Sequence, residues 1–145
     1  MLKEILQEAN AIQLQVDTSD WKEALSIVAK PLIDRNFIEE RYVEAIKKIT
    51  EETGPYYVFE DEMFALPHAR PEEGVNKLGF SLITLKTPIS INSSPDVDLI
   101  IMLCAKDGNS HIEYGLKPIF ELLSDPEIRQ KVKSARSSEE ILELL

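Results

Sequence analysis

The chain has 145 residues, 43% hydrophobic and 29% charged, enough apolar material for one packed core and too little length for two catalytic domains. Sixteen basic against 26 acidic residues leave a net charge of −10, and the basic ones form no cluster, which argues against nucleic acid as a partner. A single cysteine, Cys104, excludes an intramolecular disulfide and any multi-cysteine zinc site, and suits a reducing compartment, the cytoplasm by default.

Acidic residues interrupt the apolar run Met1-Leu2-Lys3-Glu4-Ile5-Leu6-Gln7-Glu8, so the N-terminus reads as neither a signal peptide nor a membrane-inserted span. Apolar and polar residues alternate from Ala11 to Val16 and predict a half-buried strand. Trp21, Ala24, Leu25, Val28, Ala29 and Leu32 then recur at helical spacing, with Asp20 and Glu23 at the positive end of the dipole. Pro31 lacks an N–H and should kink or shorten that helix near its end. Ile38, Tyr42, Ala45, Ile46 and Ile49 predict a second helix that stops near Gly54-Pro55.

Tyr56 to Phe59 and Met63 to Leu66 are short apolar runs separated by Glu60-Asp61-Glu62, which predicts two short strands or a strand with a turn. Leu78, Phe80, Leu82 and Leu85 mark a longer strand, ended by Thr87-Pro88, and Val97 to Ala105 is a continuous apolar strand suited to a sheet centre. Ile112, Leu116, Ile119, Phe120 and Leu123 predict a helix capped by Asn109 or Ser110, with His111 in its first turn. Pro126 opens another helix, and Ser137-Ser138-Glu139-Glu140 gives a capping box for the last. Grouped rather than alternating elements predict one α/β domain, residues 1–145, with a mixed sheet of about five strands flanked by helices.

Chemistry has few places to reside. The two histidines, His68 and His111, form no metal-binding pair on one helix face, and no coenzyme or metal is required by the residues present. Gly79-Phe80-Ser81-Leu82-Ile83 lacks the second glycine of a nucleophile elbow, and no glycine-rich phosphate loop occurs. His68 follows the apolar Ala65-Leu66-Pro67 and precedes Ala69-Arg70-Pro71, so a strand end and two prolines hold an imidazole whose ring faces the surface. Neutral imidazole attacks phosphorus, and a reference pKa of about 6.5 keeps that form plentiful near neutral pH. His111 at a helix start sits where phosphate oxygens rest, and Arg70 can add a charge-assisted bond; its alternative is a surface ion pair with Glu72 or Glu73. Glu60, Asp61, Glu62, Glu72 and Glu73 would repel a phosphate if they faced His68, so most are expected to point away, where they can match a basic partner.

The segments Gly54-Pro55-Tyr56-Tyr57-Val58 and Ala65-Leu66-Pro67-His68-Ala69-Arg70-Pro71-Glu72-Glu73-Gly74-Val75 resemble the active-site region of phosphotransferase-system enzyme IIA of the mannitol/fructose type. The run His-Ala-Arg-Pro-Glu from His68, followed by Leu-Lys-Thr-Pro from Leu85, is most similar to the ascorbate-specific branch, and the likeness extends over nearly the whole chain. This resemblance implies a mixed sheet flanked by helices, phosphorylation of His68 by the phosphocarrier HPr, and transfer of the phosphoryl group to the cysteine of an enzyme IIB. The final acceptor would be a sugar or sugar acid entering through the membrane enzyme IIC. His111 would orient or stabilise the phosphoryl group. Cys104, late in an apolar strand, reads as a buried structural thiol and not as the phosphocysteine of a IIB unit. An alternative use of the same chemistry is a regulatory module whose phosphorylation controls binding to another protein.

Overall fold

The computed structural model describes residues 2–108 and 115–145. The N-terminal run, to which the sequence pattern assigns no element, forms helix α1 (Leu2–Ala9). Leu6 and Ala9 are buried while Lys3, Glu4, Gln7 and Glu8 face solvent, so the charges that interrupt the apolar run lie on the outer face of an amphipathic helix. The other helices are α2 (Trp21–Asp34), α3 (Glu40–Thr53), α4 (Lys117–Leu123), α5 (Pro126–Ser134) and α6 (Ser138–Leu144), with a short 3-10 turn at Pro71–Glu73. Asp20, Asp125 and Ser137 cap α2, α5 and α6 by accepting backbone N–H groups. Asn109, Ser110 and Ile112, predicted for the start of the helix before α5, lie outside the described residues. Among the described residues no helix is long and apolar enough to cross a membrane.

The strands are β1 (Ile12–Val16), β2 (Val58–Phe59), β3 (Phe64–Ala65), β4 (Gly79–Ser90) and β5 (Asp96–Cys104). They form one mixed sheet in the order β1-β4-β5-β3-β2, with β1–β4 and β3–β5 parallel and the other two pairs antiparallel. The continuous apolar run is therefore the central strand. From Leu99 to Cys104 adjacent residues of β5 point to opposite faces yet are all buried, so both faces of the sheet are covered there.

Three departures from the expected elements have local causes. Ile38 precedes α3 and forms an isolated bridge with Val75, so the helix begins at Glu40. The fourth strand continues past Thr87-Pro88 to Ser90, because Lys86, Thr87 and Pro88 are exposed at a register break between Thr84 and Ile89, where a residue without an N–H is tolerated. Phe120, expected on the core face of its helix, is 39% exposed and packs edge-on against Phe59, with ring centroids 4.8 Å apart. β1 also bulges: Gln15 has φ 53°, and its N–H finds the hydroxyl of buried Thr84 at 2.8 Å.

Pro31 sits inside α2, which ends three residues later at Asp34. With no N–H at position 31, the carbonyl of Ile27 loses its helical donor. The side chain of Gln13 on β1 replaces it, donating to that oxygen at 2.8 Å. An unpaired, partly buried carbonyl costs about 1–3 kcal/mol, so Gln13→Leu should destabilise the protein by about 1 kcal/mol. In a Pro31→Ala background, where the substituted residue brings its own N–H to the helical bond, the cost should nearly vanish. Urea unfolding of the four-member cycle measures this, and an equal cost in both backgrounds would refute the compensation.

Cys104 ends β5 wholly buried, its sulfur 3.4 Å from the Lys77 carbonyl oxygen. Burial pushes its thiol up to about 12 from 9.0. The folded state thus binds a proton that the unfolded state releases, so this contribution is full below pH 9 and declines as pH rises toward about 12. Cys104→Ala should flatten the onset of alkaline destabilisation in unfolding experiments repeated across that range. An unaltered alkaline slope would contradict it.

Candidate active site

Beyond Ala65 the chain leaves regular pairing, yet the next residues are tied to β5, to α3 and to the segment between α3 and β2. The Leu66 N–H donates to the Tyr57 carbonyl at 3.0 Å, and the Leu103 N–H of β5 donates to the Pro67 carbonyl at 3.1 Å. Pro67 has no donor of its own to satisfy and is buried. The Ala69 N–H donates to the Tyr42 hydroxyl at 3.0 Å, and the Tyr56 hydroxyl donates to the His68 carbonyl. Tyr42 uses its one hydrogen toward the Leu103 carbonyl at 2.7 Å.

His68 is half-buried, and its Nδ1 lies 2.7 Å from the Leu66 carbonyl oxygen. A carbonyl can only accept, so Nδ1 carries the hydrogen and, in the neutral ring, the in-plane lone pair is on Nε2. Tyr56 stands edge-on to the imidazole with ring centroids 5.5 Å apart. Its phenol is pushed up to about 12 by burial; burial raises that of Tyr42 as well. Both hydroxyls therefore remain protonated donors near neutral pH.

Supporting contacts come from farther along the chain. The Lys133 ammonium on α5 donates to the carbonyls of Glu62 and Met63, at 2.6 and 3.3 Å, and pairs with Asp98 of β5 at 2.8 Å. Met63 has φ 55°, and the lysine thereby braces the turn between β2 and β3 just before the histidine segment. Tyr57 is anchored through its hydroxyl to Thr50 at 2.8 Å. Thr50 donates its own hydrogen to the Ile46 carbonyl, so the phenol must be the donor.

His68, Arg70, Tyr56, Pro71 and Asp107 line an open cleft of about 500 Å³. Arg70 is exposed and forms no ion pair with Glu72 or Glu73 among the described residues. None of the five flanking acids lines the cleft. His111 lies outside the described residues, while Asp107 and Gly108, the chain leading toward it, line the cleft. Ser81 is buried within β4 opposite Met102 and is no nucleophile at a surface. Among the described residues no group of three His, Cys, Asp or Glu side chains could hold a metal.

The tyrosines were not singled out by sequence pattern. Periodicity counts Tyr42 as an apolar position of a helix and Tyr56 as part of a strand, which in the structure starts at Val58. The available signal was chemical: a phenol at a core position needs a hydrogen-bond partner, and here the partners are the backbone beside the histidine.

Residues 5–145 match the family described as phosphoenolpyruvate-dependent sugar phosphotransferase system, EIIA 2. The ascorbate-specific phosphotransferase-system EIIA component of Salmonella choleraesuis is 39% identical over 99% of this chain and 94% of its own. The mannitol-specific cryptic enzyme IIA CmtB of Escherichia coli superposes with TM-score 0.87 at 33% identity, covering 99% of this chain and 96% of that one. The same fold occurs in the Escherichia coli mannitol enzyme IIA solved in complex with phosphorylated enzyme IIB, with TM-score 0.78, 23% identity and 94% of each chain covered. The five-stranded mixed sheet and the near-complete match along the sequence agree: the chain belongs to the EIIA 2 family, the phosphoryl-relaying components of sugar phosphotransferase systems.

Proposed function

We propose that His68 is the phosphoryl carrier of this relay. The Nδ1–Leu66 bond supports this assignment, because it favours the Nδ1–H tautomer and so puts the in-plane lone pair of the neutral ring on Nε2, the nitrogen that attacks phosphorus. In the first step Nε2 attacks the phosphoryl group of phospho-HPr, forming a new N–P bond as the bond to the donor's histidine breaks. The phosphorylated ring keeps its Nδ1 hydrogen, so the bond to Leu66 persists and no tautomer change is needed. In the second step a cysteine thiolate of a cognate enzyme IIB takes the phosphoryl group and Nε2 recovers its lone pair.

Arg70, which lines the same cleft, is assigned to the phosphoryl oxygens, where a guanidinium offsets the dianion's charge. His111 is kept as a second residue that orients or stabilises the phosphoryl group, a role resting on the family resemblance. No coenzyme or metal enters the scheme. The 39% identity to ascorbate-specific components supports L-ascorbate as the solute, phosphorylated through IIB and the membrane enzyme IIC. We place the relay in the cytoplasm, where HPr is accessible and the IIB cysteine remains a reduced thiol.

Incubation with phosphoenolpyruvate, enzyme I and HPr, followed by mapping under conditions that preserve phosphohistidine, tests the assignment. His68→Ala should abolish acceptance while retaining the fold, and normal acid-labile labelling of that variant would overturn it. Arg70→Met should shorten the lifetime of the phosphorylated protein by roughly tenfold, the scale of one charge-assisted hydrogen bond. His111→Ala should slow transfer or shorten the same lifetime, and unaltered kinetics in it would remove that residue from the mechanism.

A further inference from the structure

The peptide bond joining His68 to Ala69 is gripped at both polar ends. Its carbonyl accepts from the Tyr56 hydroxyl, and its N–H donates to the Tyr42 hydroxyl at 3.0 Å. The two tyrosines come from opposite ends of α3. Tyr42 lies in its first turn, and Tyr56 lies two residues past Gly54, which ends the helix with φ 90°. Each is anchored in turn. The Tyr42 hydroxyl is fixed by the Leu103 carbonyl on the central strand, and the Tyr56 ring stands edge-on to Tyr57, centroids 4.9 Å apart, with Tyr57 tied back to Thr50 on α3.

Rotating this peptide plane would break both bonds. The plane is set by ψ of His68, which also relates the side chain to the following backbone, so a fixed plane restrains the direction in which the imidazole leaves the main chain. That direction must be held for Nδ1 to stay on the Leu66 carbonyl, two residues earlier in the chain. Of the two hydroxyls, that of Tyr42 has a second use, since it also satisfies the buried Leu103 carbonyl. Tyr56 is 47% exposed at the rim of the cleft, and the fold does not need its hydroxyl to satisfy a deeply buried strand.

Resting on the reading of His68 as the phosphoryl carrier, we infer that Tyr56 is a positioning residue. Its hydroxyl, by holding the His68 carbonyl, keeps the imidazole in the tautomer and orientation that present Nε2 to the donor. The other use of an exposed aromatic at such a rim is contact with the docking protein, and the two uses differ in what they predict. A positioning role acts on the rate within the assembled complex, whereas a docking role acts on its formation.

The decisive variant is Tyr56→Phe, which keeps the ring packed against His68 and removes only the hydroxyl. Single-turnover transfer from phospho-HPr should fall roughly tenfold at saturation, with the half-saturating concentration unchanged. The imidazole nitrogen shifts of the unphosphorylated, nitrogen-15-labelled protein should move from a fixed Nδ1–H tautomer toward the average of the two tautomers, a change that loss of stability alone would not produce. Nitrogen shifts identical to those of the parent protein, or a loss confined to half-saturation, would overturn the proposal. The parent protein run in parallel separates this from failure of the underlying reading. If the parent is not phosphorylated on His68, the relay assignment falls and the positioning role with it; if it is, and the variant matches it in shifts and rate, the tyrosine proposal alone falls.

Discussion

A strand that stops after two residues beside a fully buried neighbour creates the constraint on which this site depends. β3 pairs with β5 only at Phe64 and Ala65, yet the chain beyond must run alongside the end of β5 before it reaches the surface. Its backbone groups cannot be left without partners there. Leu103 extends the pairing by one bond to Pro67, and two tyrosine hydroxyls take the groups that regular pairing would have satisfied. Satisfying the backbone and orienting the imidazole are consequently one arrangement: the carbonyl of Leu66, one residue past β3, is the one that receives Nδ1.

The same device recurs wherever the regular elements are interrupted. Pro31 removes a helical donor, and Gln13 supplies one from the neighbouring strand. The bulge at Gln15 turns an N–H out of register, and Thr84 accepts it. The turn between β2 and β3 presents carbonyls that Lys133 gathers while pairing with Asp98. In each case a side chain from another element completes the backbone, so local irregularities bind distant parts of the chain together. The last of them links the C-terminal helices to the hairpin that carries the histidine segment.

The sequence made the central architecture legible because burial on both faces demands an unbroken apolar run, and Val97 to Ala105 is one. His68 was also legible, since a histidine between two prolines at the end of an apolar run is both stiffened and near the surface. Three kinds of information were not. Helix α1 is too short for its periodicity to stand out, and its charges obscure the buried Leu6 and Ala9. The continuation of β4 through Pro88 depends on a bulge, which is a property of pairing between strands and leaves no mark in either strand alone. The two tyrosines that hold the His68–Ala69 peptide are hidden because apolar periodicity counts a tyrosine by its ring, while its hydroxyl is what acts here. Arg70 was separated from the flanking acids by geometry alone: as bare sequence, an arginine followed by Pro-Glu-Glu is equally suited to a surface ion pair.

The backbone selects the reacting nitrogen: Leu66 holds Nδ1, and phosphoryl chemistry falls to Nε2 of His68. The most direct measurement is phosphorus and nitrogen-15 NMR of the protein phosphorylated through HPr after uniform labelling of its histidines. Phosphorus should be coupled to Nε2 of His68, with Nδ1 still carrying its hydrogen. Phosphorus bonded to Nδ1 of His68 would contradict it, because that product cannot form while Nδ1 donates to the Leu66 carbonyl.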